Sequence, residues 1–202
     1  YPVMQVASAE GYVRDPELVI DFYNERRKQL LDVEPNAGHT GLAELEKDFN
    51  VTVVTQNVDN LHERAGSTHV IHLHGELTKV CSSRDPYNPR YVRELKPEEY
   101  EVKMGDKAGD GSQLRPFIVW FGEAVPEIET AIGYVEKADI FVIIGTSMNV
   151  YPAAGLLNYV PRTAEVYLID PKPVDTHSMR QIHVIQKGAS EGVKELKTEI
   201  LH

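Results

Sequence analysis

The chain has 202 residues, of which 42% are hydrophobic and 26% charged, which is the balance of a globular protein rather than a disordered or fibrous one. Its 21 basic and 31 acidic residues give a formal net charge of −10, which disfavours nucleic acid and anionic membranes as partners. A single cysteine, Cys81, excludes an intrachain disulfide and a zinc site built from several cysteines, and it favours a cytoplasmic location. No run approaches the ~20 apolar residues of a membrane span.

The first part of the chain alternates predicted helices and strands. Asp15, Pro16 and Glu17 form a helix start, in which a capping acid precedes proline and a second acid. The residues that follow have the spacing of an α-helix; they are Leu18, Val19, Phe22, Arg26 and Leu30. The predicted elements are a helix over 15–31, a helix from 35 to about 49, a strand over 51–55, a helical turn over 59–65 and a strand over 70–72.

The last part continues the alternation. The predicted elements are a helix over 127–137, a strand over 140–144, a helix over 153–159, a strand over 165–169 and a helix over 190–201. The run from Ile140 to Ile144 is continuously apolar, which is typical of a strand buried on both faces of a parallel sheet. Strands that alternate with helices predict an α/β fold with a doubly wound, Rossmann-like parallel sheet.

Residues 84–114 differ from the rest, since they are polar and show little periodicity. We interpret them as a small inserted module. The predicted organisation is therefore a Rossmann-like domain formed by residues 1–83 and 115–202, with the module of residues 84–114 between its two parts.

Polar loops follow two of the predicted strands. Gln56, Asn57 and Asp59 come after the strand over 51–55, and the segment Gly145-Thr146-Ser147 comes after the strand over 140–144. Ligands of open parallel sheets bind beyond the carboxyl ends of the strands, so both loops are candidates for contacts to a nucleotide. The alternative is structural: a polar loop with a helix cap at Asp59, and an ordinary strand-to-helix turn after Gly145.

The segment from His72 to Glu76 ends the predicted strand over 70–72, and alternation places His72 and His74 on the same side while the strand lasts. Gly75 permits an unusual backbone angle beside His74. A histidine at a strand end near a nucleotide cleft suits a general base, because its ordinary pKa is ~6.5. A structural pair or a metal-binding pair of histidines is the alternative.

Two further groups suit substrate binding. Tyr23 and Arg26 lie three residues apart on the first helix, so that Arg26 can bind a carboxylate while the tyrosine hydroxyl assists. An exposed arginine that only meets solvent is the alternative. The strand-like Phe117-Ile118-Val119 leads to Trp120, Phe121 and Gly122, where an edge strand can pair with an extended peptide. Simple core packing is the alternative there.

Five stretches, taken in order, resemble the sirtuin family. They are Thr-Gln-Asn-Val-Asp-Asn-Leu-His (55–62), His-Leu-His-Gly-Glu-Leu (72–77), Val-Trp-Phe-Gly-Glu (119–123), Gly-Thr-Ser (145–147) with Val-Tyr-Pro (150–152), and Gly-Ala-Ser (188–190). The resemblance implies an enzyme with NAD as its cofactor that removes acyl groups from the lysine side chains of proteins. Nicotinamide and O-acyl-ADP-ribose are the implied products.

The resemblance also implies roles for single residues. His74 is the expected general base. The other expected contacts are Gln56, Asn57 and Asp59 to the nicotinamide ribose and carboxamide, Gly145, Thr146 and Ser147 to the adenosine ribose side, Ala189 to the adenine, and Val119, Phe121 and Gly122 to the substrate peptide. The likeness is greatest to the bacterial branch shared with the mitochondrial desuccinylase, in which a Tyr-x-x-Arg motif binds acidic acyl groups. Tyr23 and Arg26 match that motif, which favours succinyl and malonyl substrates.

The sequence departs from the family pattern in two places. Sirtuins begin with a strand and a Gly-Ala-Gly-x-Ser loop that holds the NAD phosphates, and this chain is expected to start just after that segment. Many relatives also bind zinc through two cysteine pairs, whereas Cys81 has no cysteine partner, so we expect an inserted module without metal. A non-catalytic binder of acylated peptide or ADP-ribose is the second hypothesis. A dehydrogenase is disfavoured because no Gly-x-Gly-x-x-Gly loop is present, and mono-ADP-ribosyl transfer is a minor alternative.

Overall fold

The structure is a computed structural model that describes residues 1–145, 153–174, 176 and 180–201. The chain forms two compact units, each built from three segments. The first unit comprises residues 1–34, 55–60 and 72–126, and the second comprises residues 35–54, 61–71 and 127–202. Residues 84–114, predicted as an inserted module, belong to the first unit together with the N-terminal helices.

The elements alternate as the α/β prediction requires. In chain order they are α1 (Val3–Val6), α2 (Ala9–Arg14), α3 (Pro16–Leu30), α4 (Ala37–Glu44), β1 (Val53–Thr55), α5 (Leu61–Arg64), β2 (Val70–His72), β3 (Gly75–Ser82), β4 (Arg93–Glu94), β5 (Leu114–Ile118), α6 (Ile128–Val135), β6 (Ile140–Ile144), α7 (Ala153–Leu156), β7 (Glu165–Ile169), β8 (His183–Ile185) and α8 (Ala189–Ile200). Within the described residues, no helix has the length and apolar composition needed to cross a membrane.

Helix α3 begins where the sequence predicts. The Asp15 carboxylate accepts a hydrogen bond from Leu18 N (3.1 Å), and Pro16 occupies the first turn. The buried face of the helix includes polar as well as apolar side chains. Its buried residues are Val19, Ile20, Tyr23, Asn24, Arg27 and Leu30. Arg26 therefore lies at the surface, and the neighbouring Arg27 is the buried arginine.

Hydrogen bonds to a distant backbone segment explain why polar side chains occupy this buried face. Asn24 donates to Val102 O (2.7 Å) and accepts from Val102 N (2.9 Å). Arg27 Nε donates to Tyr100 O (2.8 Å), and Arg27 Nη2 donates to Asn24 Oδ1 (2.7 Å). Buried polar groups are tolerated when they are paired in this way, so α3 fixes the segment 100–102 as well as the apolar core.

An antiparallel sheet of order β4-β3-β5 forms the centre of the first unit. The sequence indicated only a short strand near residues 117–119. Pro116 lies within β5, which is an edge strand of this sheet, and edge strands tolerate a proline because one side of the strand needs no ladder hydrogen bonds. The buried cluster beside the sheet consists of Ile20, Val80, Leu95, Val102, Ala108 and Leu114.

Side chains within the first unit hold the region around the predicted module. The Asp110 carboxylate accepts hydrogen bonds from Ser82 Oγ (2.5 Å) and from Ser112 N (3.1 Å) and Oγ (2.7 Å). Hydrogen bonds from Ser112 and Ser82 lower the pKa of Asp110 to about 2. Cys81 is completely buried in β3, and burial raises the pKa of its thiol to about 12. The absence of metal from this region remains a prediction.

The second unit contains a parallel sheet of order β6-β7-β8, with β6 and β7 spanning the predicted residues. The predicted burial of β6 on both faces is wrong, since each of its residues is only half-buried. Within the described sheet β6 is an edge strand, whereas the central β7 is buried from its second residue onward. The core of this unit consists of Leu45, Tyr167, Ile169, Ile185, Val193 and Leu196.

Candidate active site

The polar loop after β1 lies against the segment that carries His74, and both belong to the first unit. Leu73 N donates to Thr55 O (3.0 Å), and Leu77 N donates to Val58 O (2.8 Å). The Thr55 hydroxyl accepts from Asn57 N (3.0 Å), which closes the start of the loop. The structure thus brings the predicted residues Gln56, Asn57 and Asp59 to the backbone on either side of His74.

The two histidines have different environments. Strand β2 ends at His72, so alternation does not extend to His74, which lies in the following turn. His72 is buried, its Nδ1 lies 3.2 Å from Asn57 O, and its Nε2 lies 3.8 Å from the Glu76 carboxylate. Because a carbonyl oxygen only accepts, Nδ1 of His72 carries the proton. His72 therefore stabilises the polar loop after β1 through this hydrogen bond.

His74 is half-buried, and this burial lowers the pKa of its imidazole below the ordinary 6.5. Its backbone is firmly placed, since His74 O accepts from Val119 N (2.8 Å). The next residue, Gly75, has φ +91°, and a Cβ there would lie 2.1 Å from Phe117 O. Only glycine fits this position. A neutral imidazole on a fixed backbone is suited to accept a proton near neutral pH.

Two buried amide atoms of the loop lack a hydrogen-bond partner among the described residues: Gln56 Nε2 and Asn60 Oδ1. An unpaired buried polar group costs about 1–3 kcal/mol, so a ligand or water that pairs with these atoms would be favoured. One is a donor and the other an acceptor, which matches the carboxamide and the ribose hydroxyls of NAD. The residues present therefore fit this cofactor. The sequence analysis did not single out Asn60.

The predicted peptide-pairing segment is engaged with its own chain. Val119 N donates to His74 O, as described above, and Phe121 N donates to Ala7 O (3.0 Å). Pairing of a substrate through these two amides is thus not available in this structure, because both already have acceptors. The Phe121 side chain is 63% exposed, and Gly122 is exposed beside it. A contact of this segment to substrate through side chains stays a prediction.

The structure does not bring Tyr23 and Arg26 together as a pair. Tyr23 is buried, and its hydroxyl donates to Val6 O (2.9 Å) and accepts from Trp120 Nε1 (3.2 Å). Arg26 is exposed; its Nη1 lies 3.4 Å from Gln29 Oε1, and its guanidinium lies 5.0 Å from the centroid of the Phe22 ring. Tyr23 therefore has a packing role here, and a substrate role for either residue stays a prediction.

The second unit holds the other predicted cofactor residues. Gly145 directly follows β6 and has φ +60°, and its N donates to Ile169 O (3.0 Å). Thr146 and Ser147 lie outside the described residues. Ala189 is the first residue of α8 and is half-buried. The fold therefore places Gly145 at the carboxyl end of a parallel strand, as predicted.

Sequence reasoning missed an ion pair beneath the aromatic segment. Arg115 is buried, with 3% of its surface exposed, and its guanidinium bonds to the Glu123 carboxylate (3.3 Å for Nη1–Oε2). Glu123 Oε1 also accepts from the Tyr87 hydroxyl (2.7 Å). Opposite charges eight residues apart on either side of an aromatic run are a weak signal, because the sequence does not show that the chain turns back between them.

These features define an α/β protein in which a polar loop lies beside a half-buried histidine. The sequence profile described as "Sir2 family" matches residues 2–152. An NAD-dependent protein deacylase of Bacteroides thetaiotaomicron is 84% identical over 197 residues, which are 98% of this chain and 84% of that protein. An NAD-dependent protein deacylase of Helicobacter pylori is 47% identical over 201 residues, which are 100% of this chain and 85% of that protein.

Solved structures agree with the sequence comparison. A Sir2 homologue mutant in complex with ADP-ribose has a TM-score of 0.83 and 32% identity, covering 100% of this chain and 82% of the other. A Sir2 homologue in complex with NAD also has a TM-score of 0.83, with 34% identity over 99% of this chain and 77% of the other. A Sir2 complex with a p53 peptide and NAD+ has a TM-score of 0.74, with 29% identity over 94% of this chain and 80% of the other. The chain belongs to the Sir2 family.

Proposed function

We propose that this chain removes succinyl and malonyl groups, and also acetyl groups, from protein lysines, releasing nicotinamide and O-acyl-ADP-ribose. The broader statement is that the chain is an NAD-dependent protein deacylase with NAD as its cofactor; it follows from family membership and from relatives with that activity. The observation that carries the proposal is the half-buried His74 fixed beside a loop with two unpaired amide atoms. A cytoplasmic location is part of the proposal, supported by the single, buried cysteine.

Bound NAD would supply the ribose that accepts the acyl group. Gln56 Nε2 would donate to an oxygen of the cofactor, and Asn60 Oδ1 would accept from a hydroxyl or an amide. Asn57 and Asp59 extend this polar loop. The imidazole of His74 would take up a proton from a hydroxyl, and burial, which lowers its pKa, increases the neutral fraction that can do so.

The preference for acidic acyl groups rests on Arg26. Its guanidinium is exposed and meets only a neutral amide, Gln29, and the ring of Phe22, so no carboxylate of the described residues neutralises it. Arginine binds carboxylates through two parallel hydrogen bonds. Tyr23 is not the better target for a test, because loss of its hydroxyl would leave Val6 O and Trp120 Nε1 without a partner.

The experiment compares a succinyl-lysine peptide with its acetyl twin, each incubated with the chain and NAD and followed by mass spectrometry. We expect NAD-dependent removal of both groups, with succinyl faster. Arg26→Met should lower succinyl removal roughly 10- to 100-fold, the loss expected for one charge-assisted interaction, and leave acetyl removal nearly unchanged. Arg14→Met is the matched control, since Arg14 is an exposed arginine that is already paired with Glu10 (2.9 Å).

An unchanged succinyl-to-acetyl ratio in Arg26→Met would contradict the acyl preference and leave the deacylase function standing. No NAD-dependent reaction with either peptide would contradict the deacylase proposal for this chain. Binding of ADP-ribose by calorimetry without any turnover would then favour the non-catalytic binder.

A further inference from the structure

Residues 120–123 form a tight turn that closes on itself. Glu123 N donates to Trp120 O (3.0 Å), and the Glu123 carboxylate folds back to accept from Trp120 N (2.7 Å). Gly122 has φ +88°, which the third position of such a turn requires of its residue. Phe121, the second residue, is 63% exposed while Trp120 beside it is 2% exposed. The turn thus presents one aromatic side chain to solvent and buries the other.

The buried Arg115 stabilises this turn through its contacts to Glu123 and Ile118. Its Nη1 and Nη2 each lie 3.3 Å from a different carboxylate oxygen of Glu123, and Nη2 also donates to Ile118 O (2.8 Å). The guanidinium lies 3.8 Å from the centroid of the Trp120 ring. Arg115 restricts the orientation of Glu123, because it makes two parallel contacts to the carboxylate and its guanidinium is stacked on the Trp120 ring. Since that carboxylate also accepts from Trp120 N, its fixed orientation restricts the conformation of the turn.

Tyr87 connects the turn to the region predicted as the metal-free module. Its hydroxyl donates to Glu123 Oε1 (2.7 Å), the same oxygen that accepts from Trp120 N. Burial raises the pKa of Tyr87, and its bond to Glu123 raises it further, so the hydroxyl keeps its proton at physiological pH. Burial alone would raise the pKa of Glu123, but bonds from Arg115, Trp120 N and Tyr87 outweigh it and lower the pKa, so the carboxylate stays charged.

We propose that Tyr87 and Glu123 are positioning residues that hold the 120–123 turn in the conformation that binds the acylated peptide, so that the module of residues 84–114 controls peptide affinity. This inference rests on the proposed function and on the prediction from the sequence resemblance that Val119, Phe121 and Gly122 contact the peptide. A turn that is ordered before binding loses less conformational freedom when the peptide arrives. Removing one support should therefore weaken peptide binding without altering the chemistry at His74.

The test variant is Tyr87→Phe, which deletes one hydroxyl and keeps the ring. Trp120 is the single tryptophan of the chain, so its fluorescence reports on the turn during a peptide titration without any turnover. We expect the peptide Kd and KM to rise roughly threefold to tenfold, as for partial loss of a hydrogen bond to a charged group. We expect kcat and the KM for NAD to change less than about twofold. Tyr91→Phe, in the same module, is the matched control and should match the wild type.

Three results bear on the proposal that Tyr87 and Glu123 position the 120–123 turn. A Tyr87→Phe variant with a lowered Tm but an unchanged peptide Kd and KM would overturn the proposal, because the hydroxyl would then be merely structural. A wild-type chain that neither binds nor deacylates the peptide would overturn the proposed function and this inference with it. Glu123→Gln, which removes the charge facing Arg115, should raise the peptide Kd further; if it does not fold, Tyr87→Phe still decides.

Discussion

At this site, neighbouring residues of the same type have different roles, one structural and one proposed to be chemical. His72 and His74 are two positions apart, yet one is buried with its Nδ1 proton directed at Asn57 O and the other is half-buried with a lowered pKa. The sequence predicted His74 as the base, and the predicted strand over 70–72 matches β2. Alternation places His72 and His74 on one side only while the strand lasts. The environment of His74 in the following turn could not be predicted, because it depends on a contact with the distant residue Val119.

The lowered pKa of His74 predicts the pH dependence of the reaction. The base must be neutral to accept a proton, so kcat/KM should rise with pH through a value below 6.5 and stay level above it. His74→Ala should lower kcat/KM by about 10²- to 10⁴-fold and keep the fold. The measurement is a pH–rate profile of the wild type and the variant, with circular dichroism as the check on folding.

His183→Ala is a suitable control for this prediction, since His183 is a partly exposed histidine paired with Glu165 in the second unit. Full activity of His74→Ala, or a break in the wild-type profile well above 6.5, would show that another group is the base.

Elements were predicted best where the pattern was local. The bounds of β6 and β7 match because a continuous apolar run marks β6 and the run Val-Tyr-Leu-Ile marks β7. Strand β3 was missed, since its residues are mixed in polarity and its main partner, β5, lies more than thirty residues further along the chain. The extent of helix α3 was predicted but its buried polar residues were not, because the hydrogen bonds from Asn24 and Arg27 to the segment 100–102 are not visible in the helix itself.

The start of β3 gives a prediction at this scale. Gly75→Ala should destabilise the chain by more than about 2 kcal/mol, because it adds the cost of a positive φ to a collision with backbone atom Phe117 O. Gly111→Ala is the matched control: its φ is +81° but nothing lies within 4 Å of the added Cβ, so it should show only the backbone cost of about 1–2 kcal/mol.

Urea unfolding of both variants measures this difference. Equal losses of unfolding free energy in Gly75→Ala and Gly111→Ala would mean that the collision with Phe117 O relaxes, and that the turn after His74 is less constrained than the structure indicates.

At the scale of the whole molecule, the division of the chain could not be predicted. Each compact unit is assembled from three separate segments, whereas composition and periodicity reveal only continuous stretches, such as residues 84–114. The fold class could be predicted, because the alternation of strands and helices extends over most of the chain. Among the site residues, Gln56, Asn57, Asp59 and His74 are close in the sequence and were found together. Arg115 and Tyr87 require the tertiary structure.

The whole chain should be stable without a metal ion. The one cysteine is buried in β3 with its Sγ 3.7 Å from Pro116 O, and the neighbouring Ser82 is bonded to Asp110. We therefore expect an excess of EDTA to leave the Tm and the deacylase rate unchanged. The check is thermal unfolding with and without the chelator, together with metal analysis of the purified protein; a lowered Tm with release of zinc would contradict the prediction.

The hydrogen bond from Val119 N to His74 O (2.8 Å) has a consequence for how this chain can diversify. It ties the backbone of the proposed base to the backbone of the proposed peptide-contacting segment, so that the two shift together. The Phe121 side chain, two residues further on, extends into solvent beyond that tie. Replacing the Phe121 side chain should therefore change which peptides bind, while His74 keeps its position. Mutations could then alter substrate range without altering catalytic rate.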